Sequence, residues 1–552
     1  MPVVRPESFH QPPFSFLVKQ VYSFMKNRKS IGLGYCRKAV QSGHTVPSPR
    51  SPLHFWTSSL NAPCSKANES IGVSTVKHLE VLIMSLVLYN DLTRRKEPFV
   101  PVKEGHVGFY SCGPTVYDYF HIGNARPFIV FDVLRRYLEY IGYTVTFVQN
   151  FTDIEDKMIA RANREGITVR QLADRFIEEY YRDADALGVR RATHNPLATE
   201  HMDEIIHLVS TLIEKGHAYE VDGDVFFNVG SFPKYGSLSK QSIEELQSVA
   251  RIEVNERKHH PLDFALWKSK KEGEPSWPSP WGEGRPGWHI ECSAMSMRYL
   301  GDTLDIHSGG TDLTFPHHEN EIAQAEAATG KPFARYWIHN GYLLIDKEKM
   351  SKSLGNFLTA RAALEKYPGR AIRFFMLSAH YRSPINFSED SLLQAKSAME
   401  RLDNSWSDLR HAIDNRKKTD GSGSPEILSA FTALEEKFRA AMDDDFNTAA
   451  AIGILFDGVK TVNTYLKENE PLDGKVLDAA VEFFRRLDSV MGILPAEEAR
   501  EEGTEIEKLI AERNEARKKK DFRRSDEIRD ELAARGIILE DTPDGTKWKK
   551  KT

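Results

Sequence analysis

The sequence Val107-Gly-Phe-Tyr-Ser-Cys112 starts the stretch that decides the fold. Its apolar residues predict a short strand. Apolar residues then recur at helical spacing over 128–141, with Pro127 near the start of the predicted helix, and a run over 143–149 predicts a second strand. A strand, a helix and a strand within about 45 residues form a βαβ unit, so we expect an α/β fold with a Rossmann-like parallel sheet.

Loops at the carboxyl ends of such strands bind nucleotides. Cys112 ends the first predicted strand, and His121-Ile-Gly-Asn124 follows nine residues later. Gly123 at the start of a helix would let phosphate approach the backbone, where the helix dipole favours negative charge. The sequence contains no Gly-x4-Gly-Lys-Ser/Thr phosphate loop, which argues against a P-loop NTPase.

Length and composition indicate a protein of several domains. The 552 residues exceed one domain of about 150 residues, and 40% hydrophobic with 28% charged residues is typical of a soluble globular protein. The longest apolar run, 81–89, is far short of the roughly 20 residues that cross a bilayer, so we expect no membrane span. The chain has four cysteines, at positions 36, 64, 112 and 292, a usage that fits a reducing compartment.

The N-terminal segment differs in composition from the rest. Residues 1–68 hold nine Lys or Arg, one acid and many serines. This composition predicts an organellar transit peptide, for a mitochondrion or a chloroplast, and the alternative is a disordered tail. An internal start at Met84 would instead give a cytosolic form.

Nearly everything after that segment, from about Leu88 to Lys549, resembles the cysteinyl-tRNA synthetases. The motifs that carry the resemblance are Ser111–Tyr117, His121–Asn124, Gly287–Cys292, Phe315–Glu321 and Lys349–Ser353. The resemblance implies a class I aminoacyl-tRNA synthetase that activates L-cysteine with ATP. It would then transfer cysteine from the adenylate to the 3′-terminal adenosine of tRNA(Cys). A monomer is the expected state.

The resemblance also implies one zinc ion per chain, held by Cys112, Cys292, His317 and Glu321. Two thiols, an imidazole and a carboxylate satisfy zinc's preference for four ligands. His317 and Glu321 are four residues apart, so one helix can present both, and the family register selects His317 over His318. Zinc accepts a thiolate far better than a hydroxyl, so direct coordination would select cysteine over serine.

The remaining site residues follow from the same resemblance. The cysteine pocket would include Gly113, Thr152, Trp288 and His307, although Trp288 reads equally as core and His307 as a structural imidazole. The ATP site would include His121, Gly123, Asn124, Gly309, Gly310, Asp312 and Lys352, with Asp305 near the adenosine or the substrate amine. The catalytic set would be His121, Asn124, Lys349 and Lys352, acting on charge at the phosphates with Mg²⁺ bound to ATP. Asn124 departs from the family signature, which has histidine there.

The expected division of the chain follows these motifs and a change to helical periodicity after Ser391. We expect a transit or disordered segment over 1–83, the first half of the catalytic domain over 84–193, an inserted subdomain over 194–262, the second half over 263–345, the signature loop and connecting fold over 346–390, a helical bundle that binds the anticodon arm over 391–499, and a small basic tRNA-binding unit over 500–552.

Charge in that last unit allows two interpretations. The basic residues are Arg513, Arg517, Lys518, Lys519, Lys520, Arg523 and Arg524. They would either contact tRNA phosphates or form a solvated face paired with Glu515, Asp521 and Asp526.

The sequence disfavours three other functions. A related ATP-dependent ligase that joins cysteine to a small amine lacks the long C-terminal region, which this chain has. A catalytically inactive tRNA-binding protein is disfavoured by His121 and the two signature lysines. Persulfide formation with pyridoxal phosphate uses paired lysines, but Ala160 occupies the second position after Lys157, so we do not assign it.

Overall fold

The computed structural model describes residues 86–249, 256–349, 358–415, 418–419, 423–469, 471–495, 499–542 and 545–550, all of which fall in one compact unit over Glu80–Thr552. The predicted targeting segment 1–83 and the signature loop 350–357, which contains Lys352, lie outside the described residues. No helix in the described part is long and apolar enough to cross a membrane.

The predicted βαβ unit is present. A hairpin of β1 (Val87–Asn90) and β2 (Arg95–Pro98) precedes β3 (His106–Ser111), helix α1 (Ile122–Tyr140) and β4 (Thr144–Gln149). Strands β3 and β4 pair in parallel. The helix begins earlier than predicted, so Pro127 lies in its second turn. His121 caps that start, because its Nδ1 accepts the Asn124 N–H at 3.2 Å.

Four helices and an inserted antiparallel sheet follow. In chain order the elements are α2 (Asp156–Glu165), α3 (Val169–Ala186), α4 (Met202–Glu214), β5 (Ala218–Val221), β6 (Asp224–Phe227), α5 (Ile243–Val249), β7 (Phe264–Ser269) and β8 (Gly284–Pro286). The strands pair in the order β5-β6-β7-β8. The inserted sheet therefore runs past the predicted boundary at 262, since β7 and β8 lie beyond it.

The chain then returns to the parallel sheet through α6 (Trp288–Leu300), β9 (Leu304–Gly310), α7 (Glu319–Thr329) and β10 (Ala334–Asn340). The four strands pair in the order β10-β9-β3-β4, all in parallel. The chain leaves β3 toward β4 on one side and later adds β9 on the other, so the topology switches between β3 and β9. A crevice forms outside the carboxyl ends at such a point.

A small connecting sheet leads out of the catalytic region. It consists of β11 (Leu343–Ile345), β12 (Glu348–Lys349) and β13 (Ile385–Phe387), with helices α8 (Ala360–Leu364) and α9 (Gly369–Leu377) between the last two strands. Leu358, at the far end of the undescribed loop, accepts the Ile122 N–H at 2.9 Å. The chain thus resumes beside the start of α1.

Helices dominate the remainder, as predicted. The bundle elements are α10 (Glu389–Asn415), β14 (Lys418–Thr419), α11 (Pro425–Asp443), α12 (Thr448–Glu468), β15 (Leu472–Asp473) and α13 (Gly474–Met491). The C-terminal elements are α14 (Ala499–Lys518), α15 (Phe522–Ala534), β16 (Ile537–Thr542) and β17 (Gly545–Lys550). The bundle shares its apolar core with α1 and α9, whereas the C-terminal elements form a separate apolar cluster.

The charged residues of the C-terminal elements favour the paired interpretation for most of the basic set. Arg513 and Arg517 contact Asp541, Lys518 contacts Glu515, Arg523 contacts Glu527, and Arg524 contacts Glu512 and Glu527. Asp521 caps α15, and Asp526 pairs with Arg529. Among the described residues, Lys519 and Lys520 have no ion-pair partner.

Candidate active site

Four elements bring the predicted zinc ligands together at the switch point. Cys112 follows β3 directly, Cys292 lies in the second turn of α6, and Glu321 lies in the first turn of α7. His317 lies in the turn Thr314–His318 that leads into α7, rather than on the helix that was expected to carry both ligands. Their ligand atoms all lie within 4.8 Å of one another, and all four side chains are at least 91% buried.

These distances fit a tetrahedral metal. Bonds of about 2.3 Å to sulfur and 2.0–2.2 Å to nitrogen and oxygen separate neighbouring ligand atoms by roughly 3.3–3.8 Å. In the structure, His317 Nε2 lies 3.0 Å from Glu321 Oε1, and Cys112 Sγ lies 3.5 Å from the same oxygen. Only small shifts would convert the group into a coordination shell.

The pKa values of the ligand side chains shift in different directions. Although burial lowers it, the facing Glu321 and Cys292 groups raise the pKa of His317 to about 10, so this ring must lose a proton to bind a metal. A hydrogen bond with Cys112 lowers the pKa of the Cys292 thiol to about 7, against the opposing effect of burial. Although burial raises it, the facing imidazoles of His307 and His317 lower the pKa of Glu321 to about 2. Burial raises the pKa of the Cys112 thiol well above its usual range, so this ligand needs the cation itself to ionise.

A second, overlapping group consists of Cys112, His307, His318 and Glu321. Because it shares two ligands with the first group, a single ion occupies one position or the other. His318 is already engaged on its other side, since His318 Nδ1 lies 2.8 Å from His339 Nε2, and His339 Nδ1 lies 2.8 Å from an Asp91 oxygen. The family register selects His317 as the ligand, so we interpret His318 as a neighbour of Cys112, from which it lies 3.3 Å away.

The nucleotide end of the site adjoins the thiol end. A cavity of about 400 Å³ is lined at one end by Cys112, Gly113 and Trp288. The predicted ATP-site residues that line it are His121, Gly123, Asn124, Gly309, Gly310 and Asp312. One crevice therefore holds the candidate amino-acid and nucleotide subsites side by side.

Two predicted pocket residues stand behind the cavity wall instead. Thr152 and His307 are 1% and 0% exposed and are not among its lining residues. Thr152 donates to Glu291 at 3.0 Å, and His307 Nε2 contacts Glu321 Oε2 at 2.9 Å. Each side chain thus orients a neighbour of the site, and the reading of His307 as a hydrogen-bonded imidazole fits its position.

Asp305 also departs from expectation. Its carboxylate accepts the backbone N–H groups of Val102 and Gly108, near the amino end of the sheet. It joins the start of β9 to the neighbouring backbone and is not among the residues that line the cavity. Lys349 is the last residue of β12, where it pairs with Leu344, but its side chain is not described, and Lys352 lies in the undescribed loop.

Sequence reasoning missed several residues of the site. Asn150 follows β4 and accepts the Gly113 N–H at 2.9 Å, which fixes the backbone beside Cys112. His289 Nδ1 lies 2.8 Å from His317 Nδ1, on the side of that ring away from Glu321. Asn340 and Tyr117 line the cavity. Asn150 and Asn340 each sit at the carboxyl end of a parallel strand, which is the one signal that could have identified them.

Known proteins resemble this chain along its length. Residues 98–397 match the model of the class I (C) tRNA synthetase catalytic domain, 437–495 match the DALR domain, and 499–548 match the cysteinyl-tRNA ligase anticodon binding domain. A cysteine–tRNA ligase of Caldicellulosiruptor saccharolyticus is 57% identical over 462 residues, covering 83% of this chain and 98% of the relative.

One solved structure has a similar fold. The ternary complex of Agrobacterium radiobacter K84 agnB2 LeuRS with tRNA and LeuAMS has a TM-score of 0.51 at 11% identity, covering 78% of this chain and 88% of that one. Mycobacterium tuberculosis methionyl-tRNA synthetase with methionyl-adenylate has a TM-score of 0.48 at 16% identity, covering 70% and 88%.

Fold, site and catalytic-domain match together define a class I aminoacyl-tRNA synthetase. Within that class, the relative at 57% identity over 83% of this chain, together with the match over 499–548, decides the family. The chain belongs to the cysteine–tRNA ligases.

Proposed function

We propose that this protein activates L-cysteine with ATP and transfers it to the 3′-terminal adenosine of tRNA(Cys). The observation that carries the proposal is the crevice itself, in which two thiols, an imidazole and a carboxylate adjoin a cavity lined by the nucleotide-binding motif. The family matches over 437–495 and 499–548 favour a tRNA acceptor over the alternative small amine.

The residues that would hold zinc are Cys112, Cys292, His317 and Glu321. When bound there, zinc would favour a substrate thiolate over the hydroxyl of serine. The surrounding side chains would keep this end of the cavity dry and rigid. Trp288 stacks on the His317 ring with centroids 4.3 Å apart, and it is 41% exposed at the cavity, where it could cover a bound amino acid.

The nucleotide half would work by positioning. The N-terminus of α1, capped by His121 and containing Gly123, would face the triphosphate, because free N–H groups and the helix dipole favour phosphate there. Gly309 and Gly310 leave the carboxyl end of β9 open to a ligand; a methyl group on Gly309 would lie 2.7 Å from His318. By resemblance, Lys352 and Lys349, with Mg²⁺, would stabilise charge on the phosphates during attack of the cysteine carboxylate.

The test is pyrophosphate exchange driven by cysteine or by serine, together with metal analysis. We expect about one zinc per chain and exchange with cysteine at least a thousandfold better than with serine. Cys292→Ser should lose both zinc and exchange. Cys36→Ser, in the predicted transit segment, is the matched control and should keep both. Active enzyme free of metal, or equal exchange with serine, would contradict the proposal.

We also propose that residues 1–83 direct import into an organelle. Support comes from the basic, acid-poor composition of residues 1–68. A fluorescent protein fused to residues 1–83 should co-localise with mitochondria or chloroplasts, and a fusion in which the nine basic residues are changed to Gln should not. Cytosolic fluorescence of the first fusion would reject this proposal.

A further inference from the structure

A basic groove lies beside the active-site crevice. Its floor is the exposed face of α2, where Lys157, Ala160, Arg161 and Arg164 follow one another at helical spacing. With Tyr117 and Asp118, these residues line a cavity of about 290 Å³. We propose that the 3′ single-stranded end of the tRNA reaches the adenylate through this groove, with its backbone phosphates on Lys157 and Arg164. The inference rests on the function proposed above.

The groove is continuous with the crevice. Tyr117, Asp118 and Lys157 line both cavities, so they form the wall between them. The terminal adenosine must bring a ribose hydroxyl to the adenylate inside the crevice, and the nucleotides before it must lie outside. A groove that shares a wall with the crevice is where those nucleotides would lie.

The charge of the groove suits a polyanion. Its lining holds three cations and one carboxylate, and that carboxylate, on Asp118, is already paired with Arg161 at 2.9 Å. Arg161 also donates to the Tyr117 carbonyl at 2.6 Å and stacks on Phe176, so it forms part of the wall. Among the described residues, Lys157 and Arg164 have no ion-pair partner, and both are exposed.

An aromatic ring adds a surface for a base. Lys157 Nζ lies 5.8 Å from the centroid of the half-buried Tyr117 ring. A cationic rim beside an accessible aromatic ring is the combination that holds single-stranded nucleic acid without reading its sequence. The tRNA 3′ end is single-stranded, so its chemistry matches.

The phosphates of ATP are the other anions that the cations of the groove could bind. They belong at the N-terminus of α1, which lines only the larger cavity through His121 and Gly123. Ala160 and Arg164 line only the groove, so substitutions there separate the two sources. Pyrophosphate exchange without tRNA reports on ATP, whereas charging reports on tRNA.

The experiment compares Ala160→Glu with Ala160→Gln in the full chain. The two side chains have the same shape, and both suit an exposed helix position, so they differ by one negative charge in the groove. We expect Ala160→Glu to raise the KM for tRNA about tenfold over Ala160→Gln, with exchange unchanged within about twofold. The difference should shrink as salt rises, because the interaction is with phosphates.

Arg164→Gln provides a second, independent test of the groove, and Arg182→Gln is its control. Arg182 is exposed on α3 and pairs with Glu179, outside the groove. We expect Arg164→Gln to raise the KM for tRNA about three- to fivefold and Arg182→Gln to leave it unchanged. Equal KM values for the Glu and Gln variants at 160, or a loss of exchange in Ala160→Glu, would overturn the inference. A parent chain without cysteine-dependent exchange would overturn the proposed function itself.

Discussion

Gly113 stands where the ends of β3 and β4 approach too closely for any side chain. A methyl group there would lie 1.6 Å from the Asn150 carbonyl oxygen, which is backbone and cannot rotate away. We therefore expect Gly113→Ala to displace the segment that carries Cys112 and to lower cysteine-dependent exchange at least a hundredfold, since small misplacements of a reacting group are costly. Thermal unfolding should show a loss of about 2–4 kcal/mol.

Gly108→Ala is the matched control, in the strand β3 that leads to Gly113. Its added methyl would lie 3.5 Å from Leu300, an ordinary contact. It should retain exchange and stability. A Gly113→Ala variant with normal kinetics would mean that the backbone beside Cys112 has no part in positioning the site.

Individual residues were predictable to different extents. The candidate zinc ligands and the nucleotide motif were recognisable from their resemblance to the cysteinyl-tRNA synthetases, since spacing alone is weak evidence for ligands so far apart in sequence. Whether a side chain reaches the cavity was not predictable, because it depends on which neighbouring groups form hydrogen bonds with its polar atoms. Nε2 of His307 contacts Glu321, which lies on α7. The Asp305 carboxylate accepts the N–H groups of Val102 and Gly108, which are distant in sequence.

At the scale of elements, periodicity predicted those that bury a regular apolar face. It found the βαβ unit and the helical bundle, but it missed β8, whose Gly284-Arg-Pro286 sequence has no strand preference. Pairing with β7 and two ion pairs of the buried Arg285, to Asp156 and Glu274, hold β8 in place. Tertiary contacts of this kind leave no periodic signal.

The C-terminal hairpin gives a pH prediction. Hydrogen bonds from Arg513, and also from Thr546 and Arg517, hold the pKa of Asp541 well below its usual range. A carboxylate with a lowered folded-state pKa stabilises the fold above its unfolded pKa of about 4 and loses that contribution as pH falls further. Asp541 is 45% exposed, so solvent screening limits the contribution to about 1 kcal/mol.

Asp541→Asn should therefore weaken the unit at pH 7 and have progressively less effect below pH ~4. Hydrogen exchange of the α14 and α15 amides, compared between the two chains at each pH, measures the difference directly. Among the described residues, Asp530 forms an ion pair only with Arg529, and its side chain is exposed, so Asp530→Asn is the control. If the difference in amide exchange between the two chains stays the same at pH ~3, the charge of the Asp541 carboxylate is not what stabilises the unit.

At the scale of the whole molecule, one buried arginine joins three regions. Arg373 of α9 is fully buried and donates to Asp132 of α1 at 2.7 Å, to the Met491 carbonyl at the end of α13 at 2.7 Å, and to the Gly188 carbonyl at 3.0 Å. Arg373→Met would leave the Met491 carbonyl without this donor. It would also remove one donor each from Asp132 and the Gly188 carbonyl, which keep Arg136. We expect a loss of about 3 kcal/mol in the free energy of unfolding.

Arg370→Met is the control on the same helix. Arg370 also donates to a bundle carbonyl, that of Ile493, but it is 33% exposed, so water can replace its contacts. Its loss should cost about 1 kcal/mol. Equal costs for the two variants, measured by urea unfolding, would show that burial of Arg373 does not decide its contribution.

The boundary before α14 divides separate apolar clusters, and it also separates two steps of the proposed reaction. The apolar cluster of the C-terminal elements, which includes Ile506, Ile528 and Leu532, is distinct from the clusters under the crevice.

Deleting residues 499–552 should therefore leave cysteine-dependent exchange within about twofold of the parent. It should raise the KM for tRNA by at least tenfold and flatten the salt dependence of tRNA binding, because phosphate contacts are lost. Lys519→Gln with Lys520→Gln should reproduce part of that change, since their charges are unpaired among the described residues. A deletion that abolishes exchange while tRNA affinity survives would show that the C-terminal elements support the crevice instead of the RNA.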